Sequence, residues 1–281
     1  MSCDLNITFN ELLNEIMMNL SNKILVLEGK SDKKFIKYIQ DHYVDEYVLL
    51  TVEEVDGDNN KQKVIKMIKT CQQKGFKKVF GLIDKDYDSF NDDLINLPNL
   101  YYYTENDLES VLYKINFERM YELISKDKPK KTYLEADEII KKSLKPFSVL
   151  RYINHTKKLK YNFKDFSNYN KFFDKKHTIW VDENKNKKYI YECLRISNEH
   201  RDIFDVEYQK FSFDYEKLIK GHDLIEMLVV FINDGKVHNK EKLYNNDIIV
   251  ELLIAAYKTP KINNCDLIID NLDYIFAIPN N

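Results

Sequence analysis

Acidic side chains directly follow two short apolar stretches in the first half of the 281-residue sequence. Glu28 comes after one of them, and Asp84 and Asp86, spaced as Asp-x-Asp, come after another. Carboxylates that crowd a small volume repel one another unless a cation neutralises them or they take up protons. Oxygen ligands without a nearby Cys or His favour Mg²⁺ or Mn²⁺ over zinc. The pattern therefore predicts a divalent-cation site formed by Glu28, Asp84 and Asp86, with Asp88 as a further candidate ligand.

The elements that must position these carboxylates alternate between strand and helix up to about residue 115. Four apolar runs predict strands, and four stretches with apolar residues on one face predict helices. The predicted strands are 23–28, 47–55, 77–83 and 100–103, and the predicted helices are 8–20, 31–43, 61–74 and 106–115. Such alternation is typical of a parallel sheet with helices on both faces, in which functional groups collect at the carboxyl ends of the strands.

The first helix is predicted to begin with a capping box of Thr8 and Glu11. Its apolar stripe consists of Leu12, Leu13, Ile16, Met17 and Leu20. We expect this stripe to pack on the sheet, and docking to a partner or to a second copy of the chain is the alternative.

The pattern changes after residue 117, where helical segments predominate. The predicted helices are 134–145, 222–233, 246–257 and 266–276, and the second of them is predicted to be capped by Asp223. We therefore expect an α/β protein in three parts. These are an N-terminal helix (1–22), a domain with a parallel sheet flanked by helices (23–120), and a mainly α-helical domain with a basic aromatic segment (121–281).

Charge is distributed unevenly along the chain, whose formal net charge is −3. Residues 121–188 carry 18 basic and 9 acidic side chains, and many of the lysines alternate with aromatic residues. This mixture suits single-stranded or looped RNA, because lysines neutralise phosphates and aromatic rings stack on unpaired bases. The candidate nucleic-acid-binding residues are Lys157, Lys158, Lys160, Lys164, Lys171, Lys175 and Lys176. The alternative is that the rings form the core of a helical domain and the lysines are only solvated.

Two familiar motifs fail on spacing. A P-loop would need glycine at the position of Ile24, and an EF-hand loop starting at Asp84 would need Gly and Glu where the chain has Ser89 and Ile95. A phosphatase of the haloacid dehalogenase type, with Asp84 as its nucleophile, remains an alternative. That family usually has Thr or Val shortly after the Asp-x-Asp pair, where this chain continues with Tyr87.

The arrangement of acidic residues resembles the toprim fold of topoisomerases, primases and the OLD-type nucleases. In that fold Glu-Gly follows the first strand, Asp-x-Asp follows the third, and together they hold a divalent metal. The matching stretches here are ILVLEGKSD (24–32) and VFGLIDKDYD (79–88). A third stretch, TENDLESVL (104–112), is similar to a segment of the toprim effector subunit of PARIS-type anti-phage systems, which has Asp-Ile-Glu-Asn where this chain has Asp-Leu-Glu-Ser. The resemblance covers about residues 20–115.

The resemblance implies an endonuclease, dependent on Mg²⁺ or Mn²⁺, that hydrolyses phosphodiester bonds in bacterial anti-phage defence. It implies that Glu28, Asp84 and Asp86 are the catalytic metal-binding residues, and that RNA such as tRNA is the favoured substrate. It also implies control by a partner ATPase, and a homodimer is a further expectation. Candidate supporting residues around the metal are Asp32, Glu109, Lys220 and His222, with helix capping as the alternative role of Asp32. A non-catalytic toprim-like binding or assembly module is the alternative function.

Composition argues against a membrane-spanning or disulfide-bonded protein. The longest run without a charged residue, 94–104, has 11 residues, whereas a spanning helix needs roughly 20. The four cysteines lie far apart and form no Cys-x-x-Cys pair. Together these features predict a protein of the reducing cytoplasm.

Overall fold

The computed structural model describes residues 8–40, 47–57, 59–90, 93–125, 131–164, 166, 169–174, 179–234, 244–257 and 276–277. The chain forms two compact units, one of Met1–Leu108 with Thr259–Asn281 and the other of Glu109–Lys258. This division differs from the predicted one. The first helix belongs to the first unit, the boundary falls before residue 120, and the end of the chain returns to the first unit.

The first unit contains a parallel sheet flanked by helices, as the sequence predicts. The strands are β1 (Lys23–Leu27), β2 (Tyr47–Thr51), β3 (Val79–Ile83) and β4 (Leu100–Tyr103), and the helices are α1 (Phe9–Met18), α2 (Lys30–Gln40) and α3 (Asn60–Gln73). The parallel strands follow the order β2-β1-β3-β4, and the short strand Phe276–Ala277 pairs antiparallel with β4 at the edge of the sheet. The α/β fold class is therefore confirmed, and the antiparallel edge strand is an addition that the sequence pattern did not predict.

Helix α1 begins with the predicted capping box, in which the Thr8 hydroxyl accepts from the Glu11 N–H and the Glu11 carboxylate accepts from the Thr8 N–H. The helix buries three side chains of the predicted stripe: Leu12, Leu13 and Ile16. The prediction is wrong for Met17 and Leu20, which are 48% and 39% exposed. Met17 lies at the margin of the buried face, and Leu20 follows the end of the helix.

Helix α3 packs unusually close to strand β3, because Gly81 leaves room for it. A Cβ atom at Gly81 would lie 2.8 Å from Cγ1 of Ile68 and 2.9 Å from Cγ1 of Val64. The helix starts at an N-cap, Asn59, and stops before Gly75, whose φ of 77° is the left-handed conformation expected after a helix C-terminus. This packing fixes the beginning of α3 relative to the sheet.

The second unit is mainly helical. Its elements are α4 (Leu108–Ile124), which begins at the unit boundary, α5 (Tyr133–Thr156), β5 (Phe173–Asp174), β6 (Ile179–Trp180), α6 (Glu183–Cys193), α7 (Asn198–Lys210), α8 (Gly221–Asp234) and α9 (Asn246–Ala256). Helices α6 and α7 were not predicted, and α5 continues through Pro146, where the predicted helix ends. Of the predicted helix 266–276, residues 266–275 lie outside the described residues and Phe276 lies in a strand.

Aromatic rings of the basic segment form the core of this unit. Phe147 of α5 contacts the rings of Phe163, Phe166, Tyr169 and Phe172, with centroids 4.7–6.0 Å apart. All five side chains are buried. Since buried rings cannot stack on bases, the packing alternative is confirmed for them and the stacking role is wrong.

None of the described helices combines the length and the apolar character needed to cross a bilayer.

Candidate active site

Glu28 and Asp84 meet because the strands that precede them are neighbours in the sheet. Strands β1 and β3 pair in parallel, with Leu27 opposite Leu82, so both chains leave the sheet at the same edge. There the backbone N–H of Asp84 donates to Oε1 of Glu28 over 2.8 Å. The two predicted metal-binding residues, 56 positions apart in the sequence, are thus in direct contact.

Asp86 lies in a turn with a strained backbone. Its φ of 52° is the left-handed conformation, which residues with a Cβ adopt rarely and Asp tolerates better than most. The turn is tied to the chain after β4, because the Asp86 N–H donates to the Asn106 carbonyl over 3.1 Å and the Lys85 ammonium donates to the Thr104 carbonyl over 2.6 Å. Strain of this kind persists where surrounding contacts hold it, and it is typical of functional sites.

The Lys61 side chain reaches the same turn from the first turn of α3. Its Nζ atom lies 2.7 Å from Oδ2 of Asp88, 3.3 Å from Oδ2 of Asp86 and 3.3 Å from the Lys85 carbonyl oxygen. Burial by itself would lower the pKa of Lys61, but Asp86 and Asp88 outweigh it and raise that pKa. Sequence analysis missed this residue, although its position at the start of a helix that follows a strand was a signal that it lies at the carboxyl edge of the sheet.

Asp32 has the capping role that was one of its two predicted alternatives. It is the third residue of α2, and its Oδ2 accepts from the Gly29 N–H over 2.9 Å at the beginning of that helix. Its Oδ1 accepts from the Tyr103 hydroxyl over 2.5 Å, which ties α2 to the end of β4. Asp32 therefore connects the elements around the site.

Several carboxylates lie close together at this edge of the sheet. Burial and the charges of Asp32 and Asp86 raise the pKa of Glu28 to about 7, although the hydrogen bond from the Asp84 N–H acts in the opposite direction. Burial also raises the pKa of Asp84 well above its ordinary value, and the charge of Asp107 adds to this effect. The Asp107 side chain, which follows β4, is itself buried. The site therefore gains free energy from any positive charge that enters it.

The donor set fits a hard divalent cation, although the side chains do not enclose one as they stand. Within the part of the chain that the structure describes, no three His, Cys, Asp or Glu side chains form a ready-made metal-binding group. Mg²⁺ does not require such a group, since it keeps several waters and often takes only one or two carboxylates from the protein. Glu28 and Asp84 would supply those oxygens, whereas Asp86 and Asp88 pair with Lys61.

Three of the predicted supporting residues belong to the second unit. Glu109 lies in the first turn of α4, Lys220 precedes α8, and His222 is its second residue. The His222 side chain is 60% exposed, with Nδ1 3.7 Å from Oδ1 of Asp223, and hydrogen bonding to Asp223 raises the pKa of His222. Their roles at the carboxylate site stay predictions.

Side chains of other elements bind the Asp223 carboxylate, and its predicted capping role stays a prediction. Asp223 lies inside the first turn of α8 and is fully buried. Its carboxylate accepts two hydrogen bonds from the Arg151 guanidinium and one, over 2.7 Å, from the Tyr169 hydroxyl. A buried charge needs an opposite charge and hydrogen bonds, and Arg151 and Tyr169 provide them from other elements.

Of the candidate nucleic-acid-binding lysines, those within the described residues lie at the surface. Lys158 and Lys160 follow the end of α5 in a loop with left-handed φ angles of 53° and 66°. Asn154 stabilises this loop with two hydrogen bonds of 3.0 Å to the backbone of Tyr161. The other candidate lysines that are exposed are Lys157, Lys164 and Lys171. Lys157 pairs with Glu207 over 3.0 Å. Lys175 and Lys176 lie outside the described residues.

Comparison with known proteins identifies no family, because no protein-family model and no curated protein matches the sequence.

Proposed function

We propose that the protein is a metal-dependent nuclease of the toprim type, which hydrolyses phosphodiester bonds of nucleic acid with Mg²⁺ or Mn²⁺. The observation that carries the proposal is the contact of Glu28 with Asp84 at the carboxyl edge of the sheet, beside the buried carboxyl group of Asp107. Repulsion among crowded carboxylates destabilises the folded protein, and a bound divalent cation relieves that repulsion.

The roles of the residues follow from their positions. Glu28, Asp84 and Asp86 supply oxygens to the cation, and Asp88 is a further candidate ligand in the same turn as Asp86. A divalent cation held by these residues would supply stabilisation of the charge that develops on the phosphate and an activated water molecule. General base is the alternative role of Glu28: without a cation, burial raises its pKa to about 7, which suits it to accept a proton from water near neutral pH.

The proposed substrate is nucleic acid, with RNA such as tRNA favoured. The exposed lysines after α5 support this choice, because they place positive charge on a surface where a phosphate backbone can bind. Bacterial anti-phage defence in the cytoplasm, a partner ATPase and a homodimer are proposed from the resemblance of the sequence to the toprim effector subunit alone. Copurification of an ATPase with the tagged full chain would support the partnership.

A second candidate function is a non-catalytic toprim-like binding or assembly module. The ion pairs of Lys61 with Asp86 and Asp88 favour it, since one ammonium group offsets half of the charge of these two carboxylates without any metal. A phosphatase with Asp84 as nucleophile is the third and weakest candidate.

Cleavage of end-labelled single-stranded RNA and DNA by the full chain, with Mg²⁺, Mn²⁺ or EDTA, tests these candidates. We expect metal-dependent cleavage by the native protein, loss of cleavage in Glu28→Gln and Asp84→Asn, and full activity in the matched control Asp93→Asn, whose residue is exposed near the site. Cleavage that survives both site substitutions overturns the catalytic assignment. Cation binding without cleavage favours the assembly module, and turnover of a chromogenic phosphomonoester through a phospho-Asp84 favours the phosphatase.

A further inference from the structure

Lys61 brings a positive charge to the place where the proposed metal would act. Its ammonium group is within 3.3 Å of carboxylate oxygens from both Asp86 and Asp88, and its side chain is only 13% exposed. Water therefore screens these ion pairs less than ordinary surface pairs. The chain itself thus supplies one positive charge to the two carboxylates that extend the Glu28–Asp84 pair.

The backbone of Lys61 is held firmly, whereas its side chain can change direction. Asn59 caps the helix in which Lys61 lies by accepting from the Gln62 N–H over 2.9 Å. Gly81 lets that helix pack closely on β3, as described above. A lysine side chain has four flexible methylene groups, so the ammonium can leave the two carboxylates without any movement of the helix.

We propose that Lys61 is a resident counter-cation, which competes with the divalent cation for Asp86 and Asp88 and turns to the substrate phosphate when the cation displaces it. This inference rests on the proposed function and specifies how its site is regulated. Lys61 weakens cation binding in the free protein. Substrate phosphate strengthens cation binding, because it offers the displaced ammonium a new partner. The site therefore binds the divalent cation chiefly when nucleic acid is present. Lys61 then acts as a residue that positions the substrate phosphate.

The test measures Mn²⁺ affinity of the full chain by electron paramagnetic resonance, without and with a non-cleavable single-stranded RNA analogue. We expect Lys61→Met to bind Mn²⁺ at least about tenfold more tightly than the native protein when RNA is absent, which corresponds to about 1.4 kcal/mol. RNA should tighten Mn²⁺ binding in the native protein and have a smaller effect in the variant. Lys61→Arg, which keeps the charge, should behave like the native protein, and the exposed Lys69→Met on the same helix is the matched control.

The outcomes separate this inference from the proposed function. Unchanged or weaker Mn²⁺ binding in Lys61→Met overturns the inference, whether or not the native protein cleaves RNA. Tighter Mn²⁺ binding in Lys61→Met, with no cleavage by the native protein, supports competition for the cation and overturns the nuclease function. Lys61→Gln repeats the measurement with a polar neutral side chain if Lys61→Met does not fold. A purely structural role of Lys61 predicts a lower melting temperature in EDTA without any change in Mn²⁺ affinity, which also overturns the inference.

Discussion

Replacing Glu28 with Gln should make the metal-free protein more stable at pH 8 while removing its activity. Burial raises the pKa of Glu28 to about 7, against an ordinary value of 4.5. The folded protein thus binds the Glu28 proton more tightly than the unfolded chain does. The stability that this proton contributes is complete below pH 4.5 and is lost as the pH rises through about 7.

The size of this effect follows from the same pKa. Each tenfold difference in proton affinity corresponds to about 1.4 kcal/mol, so ionised Glu28 reduces the free energy of unfolding by about 3 kcal/mol at pH 8. In Glu28→Gln the amide oxygen still accepts from the Asp84 N–H, and the negative charge is gone. The variant should therefore exceed the native protein in stability by up to about 3 kcal/mol at pH 8, and by little at pH 4.5.

Urea unfolding in EDTA at pH 4.5 and pH 8 measures this difference. The matched control is Glu54→Gln, because Glu54 is exposed in the same unit and pairs with Lys30 over 2.7 Å. Hydrogen bonding to Lys30 lowers the pKa of Glu54, so its loss should be slightly destabilising at pH 8, which is the opposite sign. The reasoning is refuted if Glu28→Gln is no more stable than the native protein at pH 8, or if its advantage is the same at both pH values.

Three further substitutions test the packing and the hydrogen bonds around the site and in the second unit. Gly81→Ala should lower the free energy of unfolding by about 1–3 kcal/mol, because its Cβ would overlap side chains of α3; urea unfolding with no loss would contradict the packing. Tyr103→Phe should cost about 1.5–3 kcal/mol by removing the donor to buried Asp32, and an unchanged melting temperature would speak against that hydrogen bond. Arg151→Met should cost about 3–5 kcal/mol, because it leaves the charge of Asp223 buried without its partner; stability equal to the native protein in urea would show that the ion pair is not needed.

The local elements of the first unit could be predicted from the sequence, because their signals lie within a few residues of one another. The capping box of Thr8 and Glu11 and the boundaries of β4 agree with the structure. The alternation of strands and helices also predicted a parallel sheet, and parallel strands bring the acidic residues that follow them to one edge. The candidate carboxylates were therefore visible in the sequence.

Only the tertiary structure decided which of these groups touch and what neutralises them. Strand β1 lies beside β3, which places Glu28 against Asp84, and the packing of α3 on Gly81 brings Lys61 to Asp86. In the second unit, the aromatic rings of the basic segment form a core, and Asp223 pairs with an arginine 72 positions away in the sequence. Such contacts depend on the order of strands and on the close approach of distant elements. Periodicity and spacing along the chain carry no information about either, because they report only which face of an element is apolar.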